Sequence, residues 1–375
     1  MICSRSLILW ISADLPALEF ARRLTERLPE PLNYMAYTCT GSESAELAIK
    51  LARKYQRLRG REEKHRILAL DKSYHGTYYG SMSASGIDQE ISEGYGPKVP
   101  GFRFLPVPYC TCCDPEDAQS PCLQRHLEEL GRYFAAEGDE TAAVILEPVL
   151  GSAGVIPPPE LYLIRVKELC REYDALLIFD EVATGFGRTG TLFALERTAA
   201  APDIVCLSKG INSGYLPLGA TVFHRRIYDA FASVPTHIEH LSTQNANPLA
   251  CAAGLATLDT IEKEGPLPRV NELGDLLAQE LAEALQEHKN FLEIRGKGLM
   301  RGVALVQSRV SKAPLSPEQT LWIVQKLKQR GLLVYPFYTL PLTAGFHLLP
   351  PFITTEQEIA RMVQLIRQVM DRTVF

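Results

Sequence analysis

With 375 residues, the chain can bury a large core and carry more than one lobe. Its formal net charge of −5 leaves no dominant basic surface, which argues against nucleic acid or anionic membrane as a main partner. No apolar run approaches the roughly 20 residues of a membrane span, and nine cysteines, an odd number, suit a reducing cytoplasm better than a disulfide framework.

Residues 1–16 (MICSRSLILWISADLP) form no assignable unit, and their apolar run is too short and weakly flanked for a signal peptide. Tyr34 to Thr38 reads as a short buried strand. Thr40-Gly41-Ser42-Glu43 then opens a helix with capping-box spacing, its apolar face running Ala45, Ala48, Leu51, Ala52, Tyr55, Leu58. A strand from Arg66 to Leu70 leads into a turn carrying Tyr74 and His75. Further on, PYCTCCDPEDAQSPC gathers Cys110, Cys112, Cys113 and Cys122. The pair Cys110 and Cys113 has C-x-x-C spacing, but no second well-spaced pair follows, so this stretch reads as a loop held by packing, with no metal assigned.

Short apolar strands recur at AAVILEP, ALLIFDEV, DIVCLSKG and GATVFH, with a helix from Glu160 to Tyr173 among them. Unalternating strands separated by helices predict an α/β fold with a mostly parallel sheet. Past about residue 260 the texture changes. A helix over Asn271 to Glu287, an edge-like strand in FLEIRGKGLMRGVALV and a helix over Glu356 to Met370 predict a smaller α+β domain. The expected division is 1–16 unassigned, 17–260 large domain and 261–375 small domain.

In parallel α/β sheets, ligand sites gather beyond the carboxyl ends of the strands. Those ends here offer Gly41 and Ser42 at a helix start, Tyr74, Glu147, Asp180 and Lys209. A helix N-terminus cradles phosphate, a carboxylate pairs with a ring nitrogen, an aromatic ring stacks on a flat cofactor, and a lysine forms a Schiff base. Pyridoxal phosphate needs this set. The small neighbours Ser208 and Gly210 are expected to leave the cofactor room to meet the lysine.

On LLIFDEVATGFGRTG, CLSKGINSGYLPLGA, TGSESAELAIKLAR and SYHGTYYGSMSASG, the chain resembles the class III aminotransferases, fold type I pyridoxal-phosphate enzymes with a seven-stranded-type sheet in the large domain. The resemblance implies that Lys209 is the Schiff-base lysine and proton carrier, that Asp180 pairs with the ring nitrogen, and that Val182 and Tyr74 pack on the ring's two faces. It implies phosphate binding by Gly41 and Ser42, and by Thr243 across a homodimer interface. Glu147 would lie near the substrate side. The implied reaction is ping-pong transamination in the cytoplasm, from an amino donor to a keto acid or aldehyde.

Two departures narrow this. Many relatives carry R-x-x-P-P, whose arginine grips an α-carboxylate; here the place reads His347-Leu348-Leu349-Pro350-Pro351. Histidine lacks that fork, so an amine or ω-amino compound becomes the expected substrate, with His347 at the substrate. Arg295 and Arg301 are candidate substitutes in surroundings that read as structural. The family also usually carries several tens of residues ahead of the segment that begins here near Ala17, so the expectation is either a late start or the loss of part of the pocket. Ala183 after DEV resembles the diaminopelargonate and amine branches, whereas Tyr335-Pro336-Phe337-Tyr338 departs from the diaminopelargonate pattern. An aminomutase, a decarboxylating relative, or a cofactor binder without turnover are the alternatives.

Overall fold

The computed structural model describes residues 14–87, 92–114 and 117–373. The unassigned segment 1–16 therefore lies mostly outside the described residues. Its end leads into α1 (Leu15–Thr25), which packs on β1 (Leu32–Thr38) and on α7 (Pro248–Glu264). Next comes α2 (Gly41–Leu58), opening where expected: Thr40 Oγ1 accepts the Glu43 amide. The Glu43 carboxylate reaches one residue further back than a capping box would, to the Cys39 amide at 2.8 Å.

The large sheet then collects β2 (Arg66–Leu70), β3 (Phe102–Leu105), β4 (Thr141–Leu146), β5 (Leu176–Asp180), β6 (Ile204–Leu207) and β7 (Gly219–His224). Helices α3 (Tyr79–Ala84), α4 (Pro121–Glu137) and α5 (Glu160–Glu172) lie between them, and α6 (Arg225–Ala232) follows β7. Strand order is β1-β7-β6-β5-β4-β2-β3. The strands from β6 to β3 pair in parallel, while β7 is antiparallel to both β6 and β1. Two reversals restore the direction, so the carboxyl end of β1 lies on the same side as those of β2, β4, β5 and β6. That brings Gly41 and Ser42 to the strand ends that carry Asp180 and Lys209. Buried apolar residues on both faces of the sheet form two clusters, as expected of a sheet covered by helices.

A second core is drawn entirely from residues 270–370. It holds α8 (Leu267–Leu285), β8 (Phe291–Lys297), β9 (Met300–Leu305), α9 (Pro317–Gln329), β10 (Tyr335–Thr339), β11 (Thr343–Leu348) and α10 (Glu356–Met370), with antiparallel strand order β10-β11-β9-β8. FLEIRGKGLMRGVALV, expected as one edge-like strand, is a hairpin of two: Gly298 at φ +53 turns the chain, and only β8 is at the edge.

That turn docks on the large domain. Arg188 donates to the carbonyls of Leu299 and Pro350 at 3.0 and 2.7 Å. A Cβ on Gly298 would stand 2.6 Å from the Thr189 backbone and violate its left-handed φ. Gly298→Ala should therefore lose about 2–4 kcal/mol of unfolding free energy, read from urea transitions followed by fluorescence and circular dichroism.

Candidate active site

Beyond the carboxyl ends of β1, β2, β4, β5 and β6 lies a cavity of about 340 Å³. Gly41, Ser42, Tyr74, Glu147, Asp180, Val182, Lys209 and His347 all line it. Thr243 does not; it sits in an exposed turn outside the cavity.

At the floor, Asp180 ends β5 and is almost fully buried. Its Oδ1 accepts the Val182 amide at 3.1 Å, and its Oδ2 lies 2.8 Å from His75 Nδ1. His75 is also buried, and its Nε2 has no partner among the described residues. Sequence reasoning had noted His75 in the turn without giving it a role. The signal was its place beside Tyr74, and only the fold shows it oriented against Asp180. The neighbouring Glu181 points away, into the large domain, where Thr184 and the amides of Ala194 and Leu195 satisfy it.

One wall is the start of α2. Helix geometry leaves the amides of Gly41 and Ser42 without an intrahelical acceptor, the arrangement that binds phosphate. Close packing fixes this corner. A Cβ on Gly41 would stand 2.6 Å from Val182, and one on Gly76, at φ +120, would stand 2.5 Å from Ser42 Oγ. Ser42 Oγ in turn accepts the Thr77 amide at 3.2 Å.

The opposite wall is built on Glu147, directly after β4. Its two oxygens accept the Tyr74 amide at 3.0 Å and the Gly151 amide at 2.9 Å. On the far side of Gly151, His347 Nε2 donates to the carbonyl at 2.9 Å. Burial holds the His347 imidazole below its ordinary pKa, and its ring packs on Phe337 and Tyr335 at centroid distances of 5.0 and 5.9 Å. Arg295 and Arg301 are both engaged elsewhere. Arg295 donates to the Gly154 carbonyl and Thr343, and Arg301 to Gly298, Gly296 and Asp275. Neither lines the cavity, whose only lysine or arginine among the described residues is Lys209.

Lys209 itself has φ +44, an uncommon conformation for a residue with a Cβ and one that recurs at functional sites. Its flanks explain how it is held. Ser208 Oγ donates to the Leu218 carbonyl at 2.8 Å, and Asn212 Nδ2 to the Leu216 carbonyl at 2.7 Å. Gly210 is small because Phe186 lies where its Cβ would be, 2.9 Å away. The small neighbours thus serve packing beneath the lysine, in addition to any clearance above it. The side chain is exposed in the single chain.

The class III aminotransferase family model matches residues 6–370. The chain belongs to the class III aminotransferases. It is 36% identical to an omega-aminotransferase of Caulobacter vibrioides over 94% of this chain and 79% of that one. It is 35% identical to an adenosylmethionine-8-amino-7-oxononanoate aminotransferase of Nitratidesulfovibrio vulgaris over 94% of this chain and 65% of that one. Among solved structures, an (S)-enantioselective omega-transaminase from Thermomicrobium roseum superposes with a TM-score of 0.88 at 36% identity, covering 96% and 79% of the two chains. An amine transaminase from an uncultivated Pseudomonas species, solved with pyridoxal phosphate, gives 0.87 at 33%, covering 97% and 82%. The protein is thus a fold type I transaminase whose cofactor is pyridoxal phosphate, and the cavity fits that group. A carboxylate stands at the floor for a ring nitrogen, helix amides at one wall for a phosphate, and a lysine at the mouth for the aldehyde.

Complete burial pushes the Glu147 carboxyl up to about 7. An acid whose folded pKa is raised loses stability as pH climbs from its unfolded value near 4.5 to about 7, and the loss is constant above that. Apo-protein carrying Glu147→Gln has no such titration. Its unfolding free energy relative to the parent should therefore rise through that window and level off above it, as urea titrations at stepped pH would show.

Proposed function

We propose that this transaminase takes its amino group from a primary amine or from an amino group remote from any carboxylate, and passes it to a keto acid or aldehyde. The observation that carries this reading is the cationic inventory of the cavity: His347 is held toward its neutral form, and no arginine among the described residues lines the walls. A neutral imidazole already donating to Gly151 offers an α-carboxylate no bidentate partner. The omega-aminotransferase and amine transaminase relatives support the same choice. Five of the other curated relatives act, by name, on 8-amino-7-oxononanoate at 33–35% identity. That keto compound is therefore the acceptor to test first.

In this reading, bound pyridoxal phosphate supplies an aldehyde that takes up the amino group and a ring that accepts the electrons of the cleaved C–H bond. Asp180 holds the ring nitrogen and His75 orients Asp180. Gly41 and Ser42 bind the phosphate through their amides. Tyr74 and Val182 confine the ring, Glu147 fixes the Tyr74 and Gly151 backbones beside the substrate, and Lys209 Nζ carries the proton between substrate and cofactor carbons.

The same proposal includes a homodimer in the cytoplasm and a division into domains near residue 260. Lys209 is open to solvent in one chain, and nearby segments expose Tyr215 at 82%, Leu241 at 62% and Leu249 at 67%. A second copy would cover them and bring its Thr243 to this cofactor's phosphate.

Half-reactions followed by absorbance test the substrate class. A primary amine or ω-amino acid should convert the cofactor band within seconds to minutes, and an α-amino acid should do so at least about tenfold less efficiently, the cost of one missing charged contact. Preference for α-amino acids would refute the proposal, and a spectrum that never changes would identify a binder without turnover. Lys209→Ala should lose the band that borohydride bleaches in the parent. Thr243→Ala should weaken cofactor retention roughly 10- to 100-fold, as expected for one charge-assisted hydrogen bond, with the sedimentation coefficient of a dimer unchanged.

A further inference from the structure

The four cysteines between β3 and α4 were expected to sit in a loop held by packing. The fold instead gathers all four sulfurs to within 4.8 Å of one another. Cys110 Sγ and Cys113 Sγ are 3.2 Å apart, Cys112 and Cys113 3.7 Å, and Cys112 and Cys122 3.2 Å. A loop held by packing has no reason to converge four thiols on one point.

We propose that Cys110, Cys112, Cys113 and Cys122 bind one zinc ion, which pins this loop against the small domain. Four thiolates at Zn–S bonds of ~2.3 Å in a tetrahedron set sulfur–sulfur separations of about 3.8 Å, which the three measured distances and the 4.8 Å bound bracket. The thiols are not joined as disulfides, which would put paired sulfurs ~2.05 Å apart. Soft thiolate donors in a closed set of four select zinc for a structural site, and sulfurs this close surround a single ion rather than a multi-iron cluster. Binding converts four thiols and one Zn²⁺ into a tetrathiolate complex and releases four protons, with no change of oxidation state.

The position gives the ion a mechanical role. Lys312, in the small domain, donates to the carbonyl of Thr111 between the first two cysteines. Tyr109, next to Cys110, donates to Glu293 at 2.7 Å, and Arg295 stacks over the Tyr109 ring at 4.9 Å. Arg295 also reaches the Gly154 carbonyl, in the turn that contains Gly151 of the cavity wall. Fixing the cysteine loop thus fixes the contact between the domains on the substrate side of the pocket.

The test uses holoenzyme purified under reducing conditions without a histidine tag. Elemental analysis should find about one zinc per chain, and chelation should release it while making four more thiols reactive. A Cys112→Ser/Cys122→Ser variant should lose the zinc. Should that variant not fold, cobalt(II) exchanged into the parent should give the sulfur-to-metal charge-transfer band and the intense ligand-field bands of a tetrahedral thiolate site. Chelation should also lower the temperature at which the domains unfold, with the cofactor absorbance as an independent control. Reduced protein reconstituted with zinc that retains none after gel filtration would overturn the proposal. So would Cys110–Cys113 or Cys112–Cys122 disulfides found by mass spectrometry in protein kept under reductant.

Discussion

Glu147 ties the pocket together from a buried position. One oxygen holds the Tyr74 amide on the β2 side and the other holds Gly151, whose carbonyl is held in turn by His347 from β11. A buried carboxylate is tolerated only while its hydrogen bonds are kept, because losing one leaves desolvated charge uncompensated. The two strand-end turns and the small domain are therefore constrained by one side chain.

The rest of the site follows from where this bridge leaves the neighbouring turns. With the Tyr74 backbone fixed, His75 is positioned to meet Asp180, and Asp180 in turn holds the Val182 amide against the Gly41 corner. Catalysis on a cofactor demands this kind of preorganisation, since each group must already face the developing charge. Lys209 is the exception. It is held from beneath by Ser208, Asn212 and the Gly210–Phe186 contact, but stays open above. A residue with φ +44 and a free side chain concentrates conformational cost where the chemistry needs reach.

Much of this was legible in the chain. The α2 start, the strand ends at Glu147 and Asp180, and the lysine after β6 follow from apolar runs and their punctuation, and eight of the expected residues meet in one cavity. The hairpin in FLEIRGKGLMRGVALV was not, because Gly298 alone does not mark a turn in a glycine-rich stretch. His75 was visible as a residue but not as a partner of Asp180, since the contact spans 105 positions. The convergence of the four cysteines was hidden for a related reason. Spacing marked one C-x-x-C pair, and the other two thiols came from an adjacent residue and from the first turn of α4.

By itself, the sequence determined the α/β class, the family and the cofactor, because those rest on local runs and short motifs that need no partner to be read. Tertiary structure alone decided that Glu147 bridges two turns to the small domain, that His347 is spent on Gly151, and that four cysteines share one point. Each is a convergence of segments far apart in the chain. Residues that share a helix face or a strand end announce themselves by period; residues that meet only across the fold do not.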